Sequence, residues 1–373
     1  MTETATQGDV APEPRANADL RGHETAEREL AEAARSGRLH HAWLITGPKG
    51  IGKATLAHRF ARWLLAGRAE AAADGGLFAE QPAQEGLWLD PADPLFQRIA
   101  AGGHPDMLTV ERGLDDAGKR LRTEIVAADA RKVSSFLALT AAEGGWRVVV
   151  VDGAEDMNRH AANALLKILE EPPPRTVLLL VSHAPGRLLA TIRSRCRRLT
   201  LSPLDGGLVE ELLAHYRPDL QPPEAALLAA MGEGSIGRSL ALAEAGGVAL
   251  YGEMLELLAA LPETEAARLH GVTDAIARSR SETGAYAAYD VFTDLLCWWI
   301  ARLVRSRATG IAPAELSPGE GEVMARLGAL GSLDQWVEVW EKITRLFGRA
   351  ESVNLDRKQV LLNAFFTLAR IGS

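Results

Sequence analysis

From Arg21 onward, apolar positions follow two rhythms: helix-length stretches with one apolar face, and short unbroken apolar runs. Glu24–Ser36 sets Ala26, Leu30 and Ala33 on one side and meets Gly37, which predicts a helix with its stop. His41–Gly47 (HAWLITG) predicts a strand, and Lys53–Leu65 a helix after a glycine-rich turn. Asp106–Glu111 predicts a strand and Ile125–Leu139 a helix. Trp146–Asp152 (WRVVVVD) and Thr176–Ser182 (TVLLLVS) are apolar without alternation, as strands buried on both faces of a parallel sheet must be. Between them, Asn158–Glu171 aligns Leu165, Leu166 and Leu169 and is stopped by Pro172–Pro174. A short helix near Arg187–Ile192 leads into the basic stretch Arg193–Leu204 (RSRCRRLTLSPL). This alternation predicts a doubly wound α/β domain over residues 21–202.

After Pro203 the strand signal fades. Leu208–His215, Pro223–Met231 and Ser235–Glu244 predict a small three-helix unit, residues 203–246. Residues 247–373 read as helix throughout, with Trp336 and Trp340 one turn apart and Leu361, Phe365 and Leu368 at helical spacing. A helical bundle is the simplest domain these can form. The fold class is therefore α/β plus all-α. Two segments fall outside the pattern: residues 1–20 read as a disordered tail, and Gly67–Gly103 as an irregular surface insertion rich in Ala, Gly, Pro and acidic residues.

Composition narrows the function classes. A net charge of −8 argues against whole-molecule attraction to nucleic acid, so DNA contact would be local or made by partners. Two cysteines, Cys196 and Cys297, exclude a disulfide framework and a four-cysteine zinc site. A reducing, cytoplasmic location fits. Leu295–Val304 (LLCWWIARLV) is too short to span a bilayer.

The chemistry concentrates at Gly47–Thr55 (GPKGIGKAT), between a predicted strand and a predicted helix. Gly47, Pro48, Gly50 and Gly52 build a tight loop whose backbone N–H groups can face phosphate, and Lys53 adds a cation for the β- and γ-phosphates. The loop departs from the complete motif at Ala54, which has no hydroxyl for Mg²⁺. Thr55 cannot replace it, because one helical step turns the side chain about 100° away. Asp152 stands where a metal-holding aspartate is expected, but Gly153 follows it in place of a water-activating glutamate. Glu155 would need an unusual turn to point inward. The site is built for phosphate and poorly equipped to cut it. Nucleotide binding stays open; hydrolysis is expected to be weak or absent, with no resident metal.

HAWLITGPKGIGKATLA, the block from Val148 to Ser182 containing NALLKILEEPPP, LLATIRSRCRRLTLSPL and GEGSIGRSLAL together resemble the AAA+ subunits of bacterial sliding-clamp loaders. The resemblance covers about Leu20 to Gly246 and continues more weakly beyond. It implies a RecA-like domain, a helical lid (203–246) and a helical collar (247–373) for assembly with delta and tau/gamma subunits in a hetero-pentameric ring. It also implies action on the sliding clamp and primed DNA, within a DNA polymerase III holoenzyme. Arg195 would then be an arginine finger offered to a neighbour's ATP, Ser182 a γ-phosphate sensor and Arg238 a nucleotide-sensing lid arginine. Asn163, Lys167 and Glu170 share a helix face suited to subunit contact or to plain solvation. The zinc module of many such subunits has no ligands here. The missing hydroxyl and base favour a stator over the alternative, a tau/gamma-type ATPase motor.

Overall fold

The computed structural model describes residues 11–71, 86–114, 122–143, 145–263, 265–278, 288–353 and 355–372. These divide into two compact units, one running to Pro218 and including Glu233–Gly237, the other formed by Asp219–Gly232 and Arg238–Ser373.

In the first unit the chain runs α1 (Glu24–Arg35), β1 (Ala42–Thr46), α2 (Lys53–Leu65), α3 (Arg68–Ala71), α4 (Pro94–Ala100), β2 (Met107–Val110), α5 (Ala127–Ala138), β3 (Arg147–Asp152), α6 (Arg159–Glu170), β4 (Thr176–Ser182), α7 (Ala190–Arg193), β5 (Arg197–Thr200) and α8 (Gly206–Tyr216). The five strands form one parallel sheet in the order β2-β3-β4-β1-β5. The central strands are buried on both faces, and side chains alternate between two cores. Trp43, Ile45, Val148, Val150, Leu179 and Val181 pack with α1 and α2, while Ala42, Leu44, Val149, Val151, Leu178 and Leu180 pack with α5 and α6. Each large aliphatic side chain so buried contributes about 1.5–3 kcal/mol.

β5 is a strand that the basic stretch did not predict; of its four residues only Leu199 is buried. As an edge strand it takes its pairing from β1 and has no apolar rhythm to display. Within the expected insertion, residues 72–85 lie outside the described residues, but 86–103 hold α4. Asp93 caps it by accepting from the Leu95 N–H at 2.8 Å, and Pro94 occupies its first position, where a missing N–H costs nothing. Phe96 and Ile99 are buried, and the Arg62 guanidinium lies 4.4 Å from the centre of the Phe96 ring.

Of the expected tail, residues 1–10 lie outside the described residues, and residues 11–20 take a different arrangement from the one expected. Arg62, on α2 and fully buried, donates to Arg15 O (2.8 Å) and Asn17 O (2.7 Å), while Arg59 donates to Ala18 O (2.5 Å). Backbone carbonyls bound to buried guanidinium groups hold this polar segment. Burial, and then the nearby Arg59, depress the Arg62 pKa to about 10.

The second unit comprises α9 (Pro222–Gly232), α10 (Ile236–Glu244) from Arg238 onward, α11 (Gly247–Ala259), α12 (Ala266–Arg278), α13 (Ala288–Thr309), α14 (Glu320–Ala329), α15 (Leu333–Val353) and α16 (Arg357–Ala369). Tyr251, Phe292, Trp299, Trp336, Leu361, Phe365 and Leu368 are buried in it. A buried ion pair joins Arg302 to Glu320 at 2.5 Å, and the Tyr251 hydroxyl donates to the same carboxylate oxygen at 2.6 Å. Among the described residues no helix is long and apolar enough to cross a membrane.

Candidate nucleotide cradle and the opposite sheet edge

The loop between β1 and α2 needs its glycines. Gly47, Gly50 and Gly52 have φ of 145°, 77° and 101°, and a Cβ on Gly47 would lie 2.5 Å from the Leu201 carbonyl oxygen. Its carbonyls are fastened one by one. Pro48 O accepts from the Lys53 ammonium, Lys49 O from Ser235 Oγ (2.7 Å), Gly50 O from the Gly237 N–H (2.9 Å) and Ile51 O from His23 Nε2 (2.6 Å). Because a trans peptide sets N–H opposite C=O, the Gly50, Ile51 and Gly52 amides face away from these partners. A row of N–H groups at the start of α2 is the arrangement that receives phosphate.

Gly237 approaches so closely that a Cβ on it would lie 2.9 Å from Gly50 Cα. Gly237→Ala is expected to separate the two segments and lower stability by about 1–2 kcal/mol. Hydrogen-exchange mass spectrometry should find faster exchange at the 50–53 amides, and unchanged exchange there would contradict this clamp.

Lys53 is buried; its pKa is lowered by burial, against the opposing pull of Glu155 and Asp152. The Asp152 carboxyl, half-buried at the end of β3, is raised by burial and by Glu111. Ala54 offers no oxygen, and Thr55 is buried against the fold. The residues present thus fit a phosphate but lack the direct ligand for a Mg²⁺ beside it. Among the described residues no group of three or more His, Cys, Asp or Glu could hold a metal.

Glu155 does point inward. Gly153, at φ 70°, turns the chain into a short 3-10 segment, Ala154–Asp156, and Glu155 is buried. Its Oε1 accepts from the N–H groups of His183 (2.9 Å) and Ala184 (3.3 Å) and from His183 Nδ1 (2.5 Å). Burial pushes its pKa up, but the backbone N–H groups of Glu155 and His183, then the Ser182 hydroxyl and His183, outweigh it and hold the carboxyl below the ordinary range. Oε1 takes all three bonds and ties down the end of β4, while Oε2 is buried without a hydrogen-bond partner among the described residues. Ser182, fully buried at the end of β4, lies beside this carboxylate, and its Oγ has no partner within hydrogen-bond geometry among the described residues.

Arg195 stands at the other end of the sheet. β5 pairs in parallel with β1 from Trp43↔Arg197 to Thr46↔Thr200, so the residues before Arg197 lie at the edge where β1 begins, while the cradle lies where β1 ends. The five residues of β1 separate the two by on the order of 15 Å. Arg195 therefore faces away from its own chain's cradle. Its Nη2 lies 2.8 Å from Glu170 Oε1, and Nη1 donates to Thr191 O at 3.0 Å. In the second unit, Arg238 lies 4.0 Å from Asp294 and 5.9 Å from the centre of the Trp298 ring, both on α13.

A sequence profile described as "DNA polymerase III, delta subunit" matches residues 22–205. DNA polymerase III subunit delta' of Pseudomonas aeruginosa is 44% identical over 186 residues, half of each chain. That of Escherichia coli K12 is 34% identical over 258 residues, 65% of this chain and 70% of that protein. This chain belongs to the DNA polymerase III delta' family. The tau/gamma subunit of Haemophilus influenzae is also similar, 31% identical over 62% of this chain, and the match spans only 31% of that protein. A gamma subunit-related protein of Thermotoga maritima aligns over 94% of the chain at 18% identity with a TM-score of 0.38, a likeness too weak to bear on function.

In this delta' family member Asn163, Lys167 and Glu170 are exposed along one side of α6, as their spacing predicts. His23, Ser235 and Gly237, which fasten the loop, were not legible as site residues. Ser235 and Gly237 lie within the GEGSIG block, whose three glycines were the available signal; His23 carried none.

Proposed function

We propose that this chain is a clamp-loader subunit of the DNA polymerase III holoenzyme that acts as a largely non-hydrolysing stator. It lends Arg195 to a nucleoside triphosphate held by an adjoining subunit. The observation that carries the reading is the placement of Arg195 at the sheet edge opposite a cradle without a metal-binding hydroxyl or a free base. An arginine there cannot serve its own loop, and its planar, permanent charge suits the charge developing on a γ-phosphate. In this reading the cradle receives phosphate without cutting it, residues 203–246 act as the lid and 247–373 as the collar of a hetero-pentameric ring with delta and tau/gamma. The ring then loads the sliding clamp onto primed DNA in the cytoplasm. In this reading Ser182, at the end of β4, and Arg238, in contact with α13, sense no cleavage at this chain's own cradle.

The similarity to tau/gamma subunits favours a second reading, an ATPase motor. Ala54 and Gly153 weigh against it. Reconstitution separates the two readings. Delta and tau/gamma subunits should co-purify with this chain, and adding it should raise their ATPase and clamp-loading rates. Failure to assemble, or rates that ignore its presence, would overturn the proposal.

A further inference from the structure

Arg195 has two anchors. Glu170 and the Thr191 carbonyl take different Nη atoms, so the guanidinium is forked between the end of α6 and α7, and two anchors fix its plane where one would not. Both anchors are firmly based. Ile192, beside Thr191, is fully buried, and His41 Nε2 donates to Leu169 O at 3.0 Å, tying down the last turn of α6. Glu170 is the final residue of that helix, where the exposed carbonyl ends disfavour an anion. The carboxylate at this unfavourable helix end is paired with the Arg195 guanidinium.

We propose that Glu170 is the positioning residue for Arg195, setting the guanidinium plane in which it meets the neighbour's triphosphate. This rests on the finger reading above. The side chains are 35% and 52% exposed, so the pair adds little to stability and gives way readily to a stronger anion. A guanidinium carries five N–H donors in a rigid fork, and those not turned to Glu170 and Thr191 remain for phosphate oxygens. Glu170 thus contributes orientation and leaves affinity to other groups.

The test is phosphate release by the reconstituted loader carrying Glu170→Ala, Glu170→Gln, Arg195→Ala or the double alanine substitution. Glu170→Ala should lower the rate at the adjoining site about three- to fivefold, with the KM for ATP within about twofold. Glu170→Gln keeps an acceptor oxygen and should recover most of the rate. The double variant should be no slower than Arg195→Ala alone, and all four chains should assemble equally by size exclusion. A purely structural staple between α6 and α7 would slow the reaction by the same factor with or without Arg195, and that result overturns the proposal. So does a kcat that Glu170→Ala leaves unchanged or raises. An undiminished rate with Arg195→Ala would instead sink the finger reading, leaving Glu170 nothing to position.

Discussion

Arg195→Ala is expected to slow γ-phosphate cleavage at the adjoining subunit's site by on the order of 10³-fold, with ring assembly intact. The size follows from the role proposed for the group: a cation that neutralises charge developing only in the transition state, so that its loss should fall on kcat more than on nucleotide affinity. The fold should not notice the change. The side chain is 35% exposed and its partners are a surface carboxylate and one carbonyl, whose loss is worth at most about 1 kcal/mol. In a ring with more than one nucleotide site the steady-state rate would understate the defect; single-turnover phosphate release resolves the affected site. Arg195→Lys keeps the charge but loses the planar fork, and it should recover only a small part of the rate. Release as fast with alanine as with arginine would remove the finger.

Acid should destabilise the first unit through His58. This side chain, in α2, is 3% exposed, and its Nδ1 has no hydrogen-bond partner among the described residues. Burial, with the positive charges of Arg62 and Arg15, pushes its pKa down to about 4. The unfolded value lies near 6.5, so between these limits the unfolded chain binds a proton that the folded chain refuses. The contribution is therefore complete above pH ~6.5 and is lost as the pH falls toward 4, reaching about 2 kcal/mol at pH 5 and roughly 3 kcal/mol in full. Urea unfolding at pH 7.5 and pH 5 measures it. The native chain should lose that much more stability than His58→Gln, which cannot titrate; equal losses would show that His58 does not carry the effect.

The parts of the fold legible in the sequence are those whose own residues dictate them. α2 and β4 begin and end where periodicity and flanking glycine and proline place them, and Asn158 caps α6 by accepting from the Ala161 N–H at 3.0 Å. The parts that were not legible depend on distant partners. β5 has one buried residue and exists because β1 offers an edge. α4 hides behind Pro94, which reads as a breaker but starts the helix. Residues 11–20 look like a free tail because their anchors, Arg59 and Arg62, lie more than forty positions along the chain. The same division holds at the site. Glycine spacing and the missing oxygen at Ala54 were visible at once. The inward turn of Glu155 needed the left-handed conformation of Gly153, and the carbonyl clamp needed a turn some 185 positions away.

As a stator, this chain should assist cleavage elsewhere and perform little or none itself. The most direct measurement is steady-state γ-phosphate release by the purified chain alone, with ATP and Mg²⁺, beside a tau/gamma subunit under identical conditions. Release should stay near the level of buffer, unchanged by Lys53→Ala. Turnover within about tenfold of the motor subunit, abolished by Lys53→Ala, would contradict it, since a working hydrolytic site would then exist without the hydroxyl and free base such chemistry requires.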